Sequence, residues 1–321
     1  MKTLQLTTNA EATYVRNQVD VLRNRGIECD VVAVPHSAGS DGRSPLEYLR
    51  FCPQVRRRLS SEHDLVHANY GLTIPAALTQ RQVPVVASLV GSDLMGGFGP
   101  VTSQVARFCD EVIVVSEEMA ELLPRGAEVI PYGIDLDQFR PMDQDQARER
   151  VGWPTDRYCV LFPYHPDRGV KNYPLARQVV DQATATLGEP VDLRVATGLD
   201  YAAMPAYMNA ADALLLTSHR EGSPSTVKEA LACNTPVVST PVGDVPMRLA
   251  DVTPSALGTS ADELAAGLCA VVEADEESNG RDAVADLGLE RMGERLLDVY
   301  ERAVSETTVP TPEVASHAQT D

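Results

Sequence analysis

The chain has 321 residues, 44 % of them apolar, and a formal net charge of −19. That length accommodates two domains of roughly 150 residues each, and the apolar content excludes a disordered chain. The negative charge argues against nucleic acid as a partner. No apolar run is long enough to span a membrane. The first fourteen residues carry Thr, Asn and Glu where a secretory signal needs an apolar core, so a cytoplasmic protein is expected.

The charge has structure of its own. Lysine is confined to Lys2, Lys171 and Lys228, and the remaining cations are arginine. From Ala250 onward sixteen acids face four arginines, giving −12, so the rest carries −7. Acidic surfaces with so little lysine are those of proteins adapted to high internal salt, as in haloarchaea. The six cysteines, at 29, 52, 109, 159, 233 and 269, lack metal-ligand spacing and read as thiols kept reduced.

Along the first half, strand-like runs at 3–7, 29–34, 65–68, 83–90, 112–116 and 128–131 alternate with helix-like stretches such as 13–24 and 117–123. Near-continuous Val/Ile runs suit parallel strands covered on both faces, and the alternation predicts a doubly wound sheet. Residues 130–141, punctuated by proline and glycine without periodicity, read as an interdomain linker. A second α/β series follows, with strands at 159–164, 192–196, 213–217 and 236–240 and a closing helix at 286–304. The Pro- and Thr-rich tail at 305–321 reads as disordered.

The most informative segment starts from the apolar run at 213–216. Glu221 follows that strand, and Glu229 lies eight residues further on, inside a helix for which Ser223 suits the N-cap and Pro224 the first turn. One carboxylate therefore stands at the carboxyl end of a strand, where open α/β sheets bind ligands. The next helix aims its N-terminus at the same place, and that end favours phosphate. Carboxylates accept hydrogen bonds from sugar hydroxyls. A phosphate cradle flanked by two hydroxyl acceptors suits a nucleotide sugar.

The segment resembles the nucleotide-sugar signature of the retaining glycosyltransferases of family 4, the glycosyl transferases group 1, through residues 211–218 before Glu221 and Ala230 to Val238 after it. The resemblance implies the GT-B fold, with two Rossmann-like doubly wound parallel-sheet domains facing across a cleft. They would be an acceptor-side domain at 1–135, onto which the 286–304 helix packs back, and a nucleotide-sugar domain at 142–285. The 130–141 stretch looks like the family's exit from the first domain. Residues 161–172 resemble the Arg/Lys loop that grips the donor diphosphate, which implies Arg168 and Lys171 as its cations. Lys171 is one of only three lysines in the chain, and an ammonium suits point contact with phosphate. By the same carry-over Glu229 meets the ribose hydroxyls, Glu221 the transferred sugar, and the backbone at Gly222, Ser225 and Thr226 the diphosphate.

In the first half, residues 89–94 resemble a family stretch that faces the donor sugar and implicates Gly91 and Ser92. The histidine often found there is Val90 in this chain. Asp93 reads as a helix cap or a group that structures the loop. The paired glycines common in the first strand-to-helix turn are replaced by residues 7–12, where Asn9 and Glu11 are acceptor contacts or parts of a simple capped turn. His67 and Asn69 are similar to a further family stretch, although a lone histidine is more often structural. No cluster of His, Cys or carboxylates with ligand spacing is read, so no metal and no cofactor is expected. Arg56, Arg57 and Arg58 lie in the one strongly basic patch, either peripheral contact with an anionic membrane at its inner face or an ordinary basic surface helix.

Together these readings imply a retaining, metal-independent transfer of a hexosyl-type sugar from a UDP- or GDP-sugar to a hydroxyl acceptor. That acceptor would belong to glycan, glycolipid or glycoprotein synthesis and could be lipid-linked. The rivals are a nucleotide-sugar epimerase on the same fold and a non-catalytic binding partner.

Overall fold

The computed structural model describes residues 1–36, 43–274 and 276–308. Strand β1 (Lys2–Thr7) is followed by α1 (Thr13–Asn24), β2 (Glu28–Ala33), α2 (Pro45–Arg58), β3 (Leu65–Ala68), α3 (Ile74–Ala77) and β4 (Val85–Leu89). Then come α4 (Gly99–Ala106), β5 (Glu111–Val114), α5 (Glu117–Glu121) and β6 (Glu128–Val129). These strands form one sheet in the order β2-β1-β3-β4-β5-β6. The pairings of β1 with β2 and β3, and of β3 with β4, are parallel. β3 and β4 are buried at every residue, as strands covered on both faces must be.

The second series is α6 (Gln144–Val151), β7 (Tyr158–Phe162), α7 (Tyr173–Leu187), β8 (Val191–Val195), α8 (Met204–Ala210) and β9 (Ala213–Leu216). It continues with α9 (Ser225–Ala232), β10 (Val237–Ser239), α10 (Val245–Leu249), β11 (Ser255–Leu257), α11 (Ala261–Val272) and α12 (Leu289–Thr308). Its parallel sheet has the order β11-β10-β9-β7-β8, with β7 and β9 in the centre of a core that includes Val160, Phe162, Leu214 and Leu231. β11, only three residues long on a sheet edge, has too short an apolar run to be read from sequence.

The chain divides into two compact units. The first comprises Met1–Ile113, Pro124–Glu128 and residues from Glu294 onward; the second comprises Val114–Leu123 and Val129–Gly293. The closing helix starts at Leu289, three residues later than the sequence suggests, because 282–287 form a 3-10 turn instead. It also continues through Thr308, so residues 305–308 of the expected tail are helical. The remainder of that tail lies outside the described residues.

The 130–141 stretch is packed, not a loose tether. Ile134 and Phe139 are 1 % and 0 % exposed and belong to the second unit's core. Arg281 donates to the carbonyls of Leu136 (2.8 Å), Phe139 (2.8 Å) and Ala232 (2.7 Å). An arginine suits this task because its fixed fork serves several acceptors at once. All six cysteines are free, five of them buried.

Candidate active site

In the second unit, two loops meet at the carboxyl end of the sheet. Thr217, just beyond β9, donates through Oγ1 to the carbonyls of Lys171 (3.0 Å) and Asn172 (3.1 Å), and the His219 amide donates to the Val170 carbonyl at 2.9 Å. Asn172 closes the Lys171 turn in the left-handed region at φ 52°, a conformation asparagine tolerates. This stitching brings Lys171 Nζ to 2.5 Å from Glu221 Oε1, and Ser218 Oγ donates to the same oxygen at 2.6 Å.

Lys171 also sits 3.7 Å from the centre of the Tyr164 ring, an attractive cation–π geometry. Burial holds its pKa below the usual lysine range even though Glu221 pulls the other way. The Tyr164 hydroxyl hydrogen-bonds Thr226 Oγ1 at the start of α9. One buried ring thus links the lysine to the helix N-terminus. Arg168 is exposed. The structure brings it near Lys171 in the same turn, where its charge works against protonation of the lysine.

Helix α9 begins one residue later than its sequence suggests. Pro224 occupies the N-cap position, and Ser223 is drawn away to donate to Asp244 Oδ2 at 2.8 Å. Asp244 also pairs with Arg248 at 3.2 Å, and its amide donates to the Gly222 carbonyl at 3.1 Å. Gly243, at φ +56°, lies so near that a Cβ there would approach the Gly222 oxygen to 2.2 Å. The Gly222 loop is therefore clamped from the following strand-to-helix turn. The first amides of α9, at Ser225 and Thr226, have no acceptor within their own helix.

Glu229 is 4 % exposed on the inner face of α9 and accepts a 2.7 Å hydrogen bond from the Tyr201 hydroxyl. Burial raises its carboxyl above the usual range, opposed by Tyr201 and Lys228. Lys228, 1 % exposed, donates to the Tyr132 carbonyl at 2.7 Å. Burial brings its pKa down to about 8. Ser218, Lys228 and Gly243 were not picked out by motif. Of these only Lys228 carried a signal, its retention in a chain almost without lysine.

The structure brings Lys171, Arg168, Glu221, Gly222, Ser225, Thr226 and Glu229 together around one strand end and one helix N-terminus. A cavity of about 630 Å³ lies elsewhere, at the amino-terminal edge of the same sheet, lined by residues that include Asp143, Asn209, Asp212 and Asn234.

In the first unit, Gly91 follows β4 with φ +133°, which a side chain rarely adopts. The Asp93 carboxylate is 1 % exposed and accepts from the amides of Gly71 (2.7 Å), Val90 (3.0 Å) and Gly91 (2.9 Å), so it organises the loop. Ser92 Oγ lies 3.1 Å from the Tyr70 hydroxyl. His67 and Asn69 do not present themselves to a ligand. His67 Nδ1 is 2.6 Å from the Tyr300 hydroxyl and Nε2 is 2.8 Å from Ser88 Oγ. Asn69 exchanges bonds with Gln18 (2.7 Å) and Gln5 (2.8 Å). Burial lowers the His67 pKa to about 3, so the ring is neutral. Asn9 and Glu11 form a short turn, with the Glu11 amide donating to Asn9 Oδ1 at 3.0 Å.

Two domain-wide likenesses coincide with this geometry. Residues 12–138 match the Glycosyltransferase Family 4 model and residues 176–279 match Glycosyl transferases group 1. The chain belongs to this glycosyltransferase family and has its GT-B-type pair of parallel-sheet domains. A D-inositol 3-phosphate glycosyltransferase from Mycobacterium marinum is 26 % identical, over 94 % of this chain and 77 % of that one. A protein of the same description from Mycobacterium bovis is 28 % identical over 59 % of this chain, and the match spans about half of that relative, 49 %. Among solved structures, a sucrose-phosphate synthase from Thermosynechococcus elongatus aligns with TM-score 0.76 at 16 % identity, covering 95 % of this chain and all of that one. Anabaena Alr3699/HepE in complex with UDP aligns with TM-score 0.69 at 16 % identity, covering 94 % and 100 %. At such identities the structural likeness speaks for the fold. Among the described residues, no helix is long and apolar enough to cross a membrane.

Proposed function

We propose that this glycosyltransferase moves a hexosyl-type sugar from a UDP- or GDP-sugar to a hydroxyl acceptor with retention of anomeric configuration. The observation that carries the reading is the convergence of the Lys171–Glu221 pair, the α9 N-terminus and the buried Glu229 on one strand end. In this reading Glu229 accepts from the ribose hydroxyls and Glu221 from the transferred sugar. The amides at Gly222, Ser225 and Thr226 meet the diphosphate, with Lys171 and Arg168 supplying its countercharge. That countercharge supports a metal-independent reaction. Gly91 and Ser92 would supply backbone and hydroxyl contacts from the first domain.

Retention follows from departure and attack on the same face, with the leaving phosphate helping to take the proton of the incoming hydroxyl. Rate enhancement then comes from orientation and from stabilising the leaving diphosphate. The Lys171 ammonium, held in place by Tyr164, exchanges its Glu221 contact for phosphate oxygens as charge develops there. Because Anabaena Alr3699/HepE has been solved with UDP-glucose, that donor is the first to try.

Thermal unfolding in molar KCl with chelator present, against UDP-, GDP- and ADP-sugars, tests the reading, since a bound ligand raises apparent stability by mass action. A shift with one nucleotide family that disappears in Glu229→Ala is expected. A shift unchanged in that variant, or absent with every donor, overturns it. Product retaining the nucleotide would identify an epimerase instead.

A further inference from the structure

Two of the chain's three lysines are buried. Lys171 meets Glu221 in the candidate site; Lys228 has no such counterpart. Among the described residues its Nζ makes one hydrogen bond, to the Tyr132 carbonyl, and pairs with no carboxylate. An ammonium taken out of water and given one neutral acceptor is an unfavourable group to fold around. A methionine would fill the same space without that penalty. The surroundings offer little relief. Of the elements that pack on α9, α8, β9 and β10 carry no charged residue. The 3-10 turn at 282–287 packs there too, but its Asp282 and Asp286 are exposed. Asp135, close to Tyr132 in the chain, turns its carboxylate to the amides of Asp137 and Gln138. The charges that act on the ammonium are Asp244 and Arg248, from the start of α10, and Glu229, the next residue of its own helix.

Its position is as unfavourable as its surroundings. Lys228 stands about one helical turn after Ser225, the first residue of α9, and side chains on a helix lean toward its N-terminus. A cation there works against the helix dipole and in favour of an anion bound at the helix end. Two further links tie the ammonium to the same place. Asp244, whose charge faces Lys228, accepts from Ser223 and Arg248, and its amide holds the Gly222 carbonyl. Tyr132 leads into Ile134, whose amide donates to the Leu287 carbonyl and whose carbonyl accepts from Leu289. Lys228 thus joins α9, the clamp on the Gly222 loop and the packed 130–141 stretch. Burial, a neutral acceptor and the wrong end of a dipole all oppose its charge, and an anion at the first turn of α9 relieves that opposition.

We propose that Lys228 is a proton-linked positioning residue of the donor site: its ammonium holds α9 and the Gly222 loop in the form that accepts a nucleoside diphosphate, and it takes up a proton from solvent as that anion binds. The inference rests on the reading that the donor diphosphate meets the N-terminus of α9. In the free protein burial brings the Lys228 pKa down to about 8, so near that pH about half of the molecules carry a neutral amine there. The bound diphosphate favours the ammonium, and by linkage the ammonium favours the diphosphate to the same degree. Donor affinity is then full where the free protein is already protonated. It falls as pH rises through about 8 and levels off once Lys228 is neutral in the complex as well. Being buried, the effect is little screened by salt.

Calorimetric titration of the whole protein with UDP and with GDP, in molar KCl and in two buffers of different ionisation enthalpy, counts the protons exchanged on binding without any activity. At a pH of about 8 the wild type is expected to take up about half a proton per nucleotide bound. Lys228→Met should take up none, bind about tenfold more weakly near neutral pH and lose the fall in affinity at higher pH. Lys228→Gln, which keeps a donor without the charge, is expected to behave in the same way and serves if the first variant does not fold; urea unfolding establishes which are folded. A purely structural role would not tie the loss of affinity to a proton. Binding without proton uptake overturns the inference and leaves the donor site standing. So does uptake unchanged in the variants, which places the proton on Lys171 or on the nucleotide. No binding by the wild type, or binding that survives in Glu229→Ala, overturns the donor-site reading and this inference with it.

Discussion

Glu221→Gln removes one negative charge from the most tightly drawn pair in the second domain. Lys171 Nζ and Ser218 Oγ both reach Oε1, at 2.5 and 2.6 Å, and the lysine side chain is only 7 % exposed. Removing one partner of a buried pair costs about 3–5 kcal/mol, because the other charge is left behind. Glutamine keeps a neutral acceptor in place, so a loss of about 3 kcal/mol is expected. Lys171→Met leaves a carboxylate that is 16 % exposed and still holds its Ser218 bond; about 2 kcal/mol is expected there. The double variant strands no charge, so it should recover about 2 kcal/mol relative to the sum. Urea unfolding of the four proteins measures this, with fluorescence of Trp153, the single tryptophan, which packs on the second unit's core. Additivity within about 0.5 kcal/mol would show that the two groups are uncoupled and would refute the reasoning.

The Lys228 pKa, about 8 in the folded protein against 10.5 for the ordinary group, sets a pH dependence. Between these values the unfolded chain holds the proton and the folded chain does not, so stability rises by on the order of 3 kcal/mol as pH climbs from 8 to 10.5. Lys228→Met should flatten that rise, and an unchanged pH profile of unfolding counts against a buried ammonium. Tyr201→Phe deletes the hydroxyl that donates to Glu229 and should raise the donor KM about tenfold with kcat little changed; steady-state kinetics showing loss in kcat alone would contradict a donor-side role for Glu229. Asp93→Ala leaves the buried amides of Val90, Gly91 and Gly71 without their acceptor. It should cost about 3 kcal/mol or more, and hydrogen exchange at those amides as slow as in wild type would show that the carboxylate does not hold the loop.

Alternation of apolar runs with helical stretches was enough to read two parallel sheets, because buried parallel strands leave little choice of residue. Their ends moved by one or two positions. The strand after residue 83, for example, starts at Val85, since Asp110 takes the Val85 amide. Site legibility followed the same division between local and distant causes. Glu221 and Glu229 were visible because strand, loop and helix are contiguous. The start of α9 was misplaced because the hydroxyl expected to cap it answers to Asp244, twenty-one residues away. Lys171 was read as a free phosphate ligand, yet its charge rests on Glu221, fifty residues on. Arg281, which fixes the 130–141 stretch, gave no sign at all, since a lone arginine in an acidic segment looks like surface.

The last helix has a bearing on the order in which the chain acquires its shape. Tyr300 is fully buried and completes the polar cluster of Gln5 and His67, so β1 and β3 wait for a side chain 295 and 233 residues further along the chain. The second unit draws its residues from 114–293 and includes none of the α12 stretch that carries Tyr300. The first unit is sealed only when the part of α12 from Glu294 onward joins it. A stop codon anywhere before residue 300 would leave the His67 and Gln5 side chains short of a partner inside the first sheet's core, and so mark the unfinished chain for degradation.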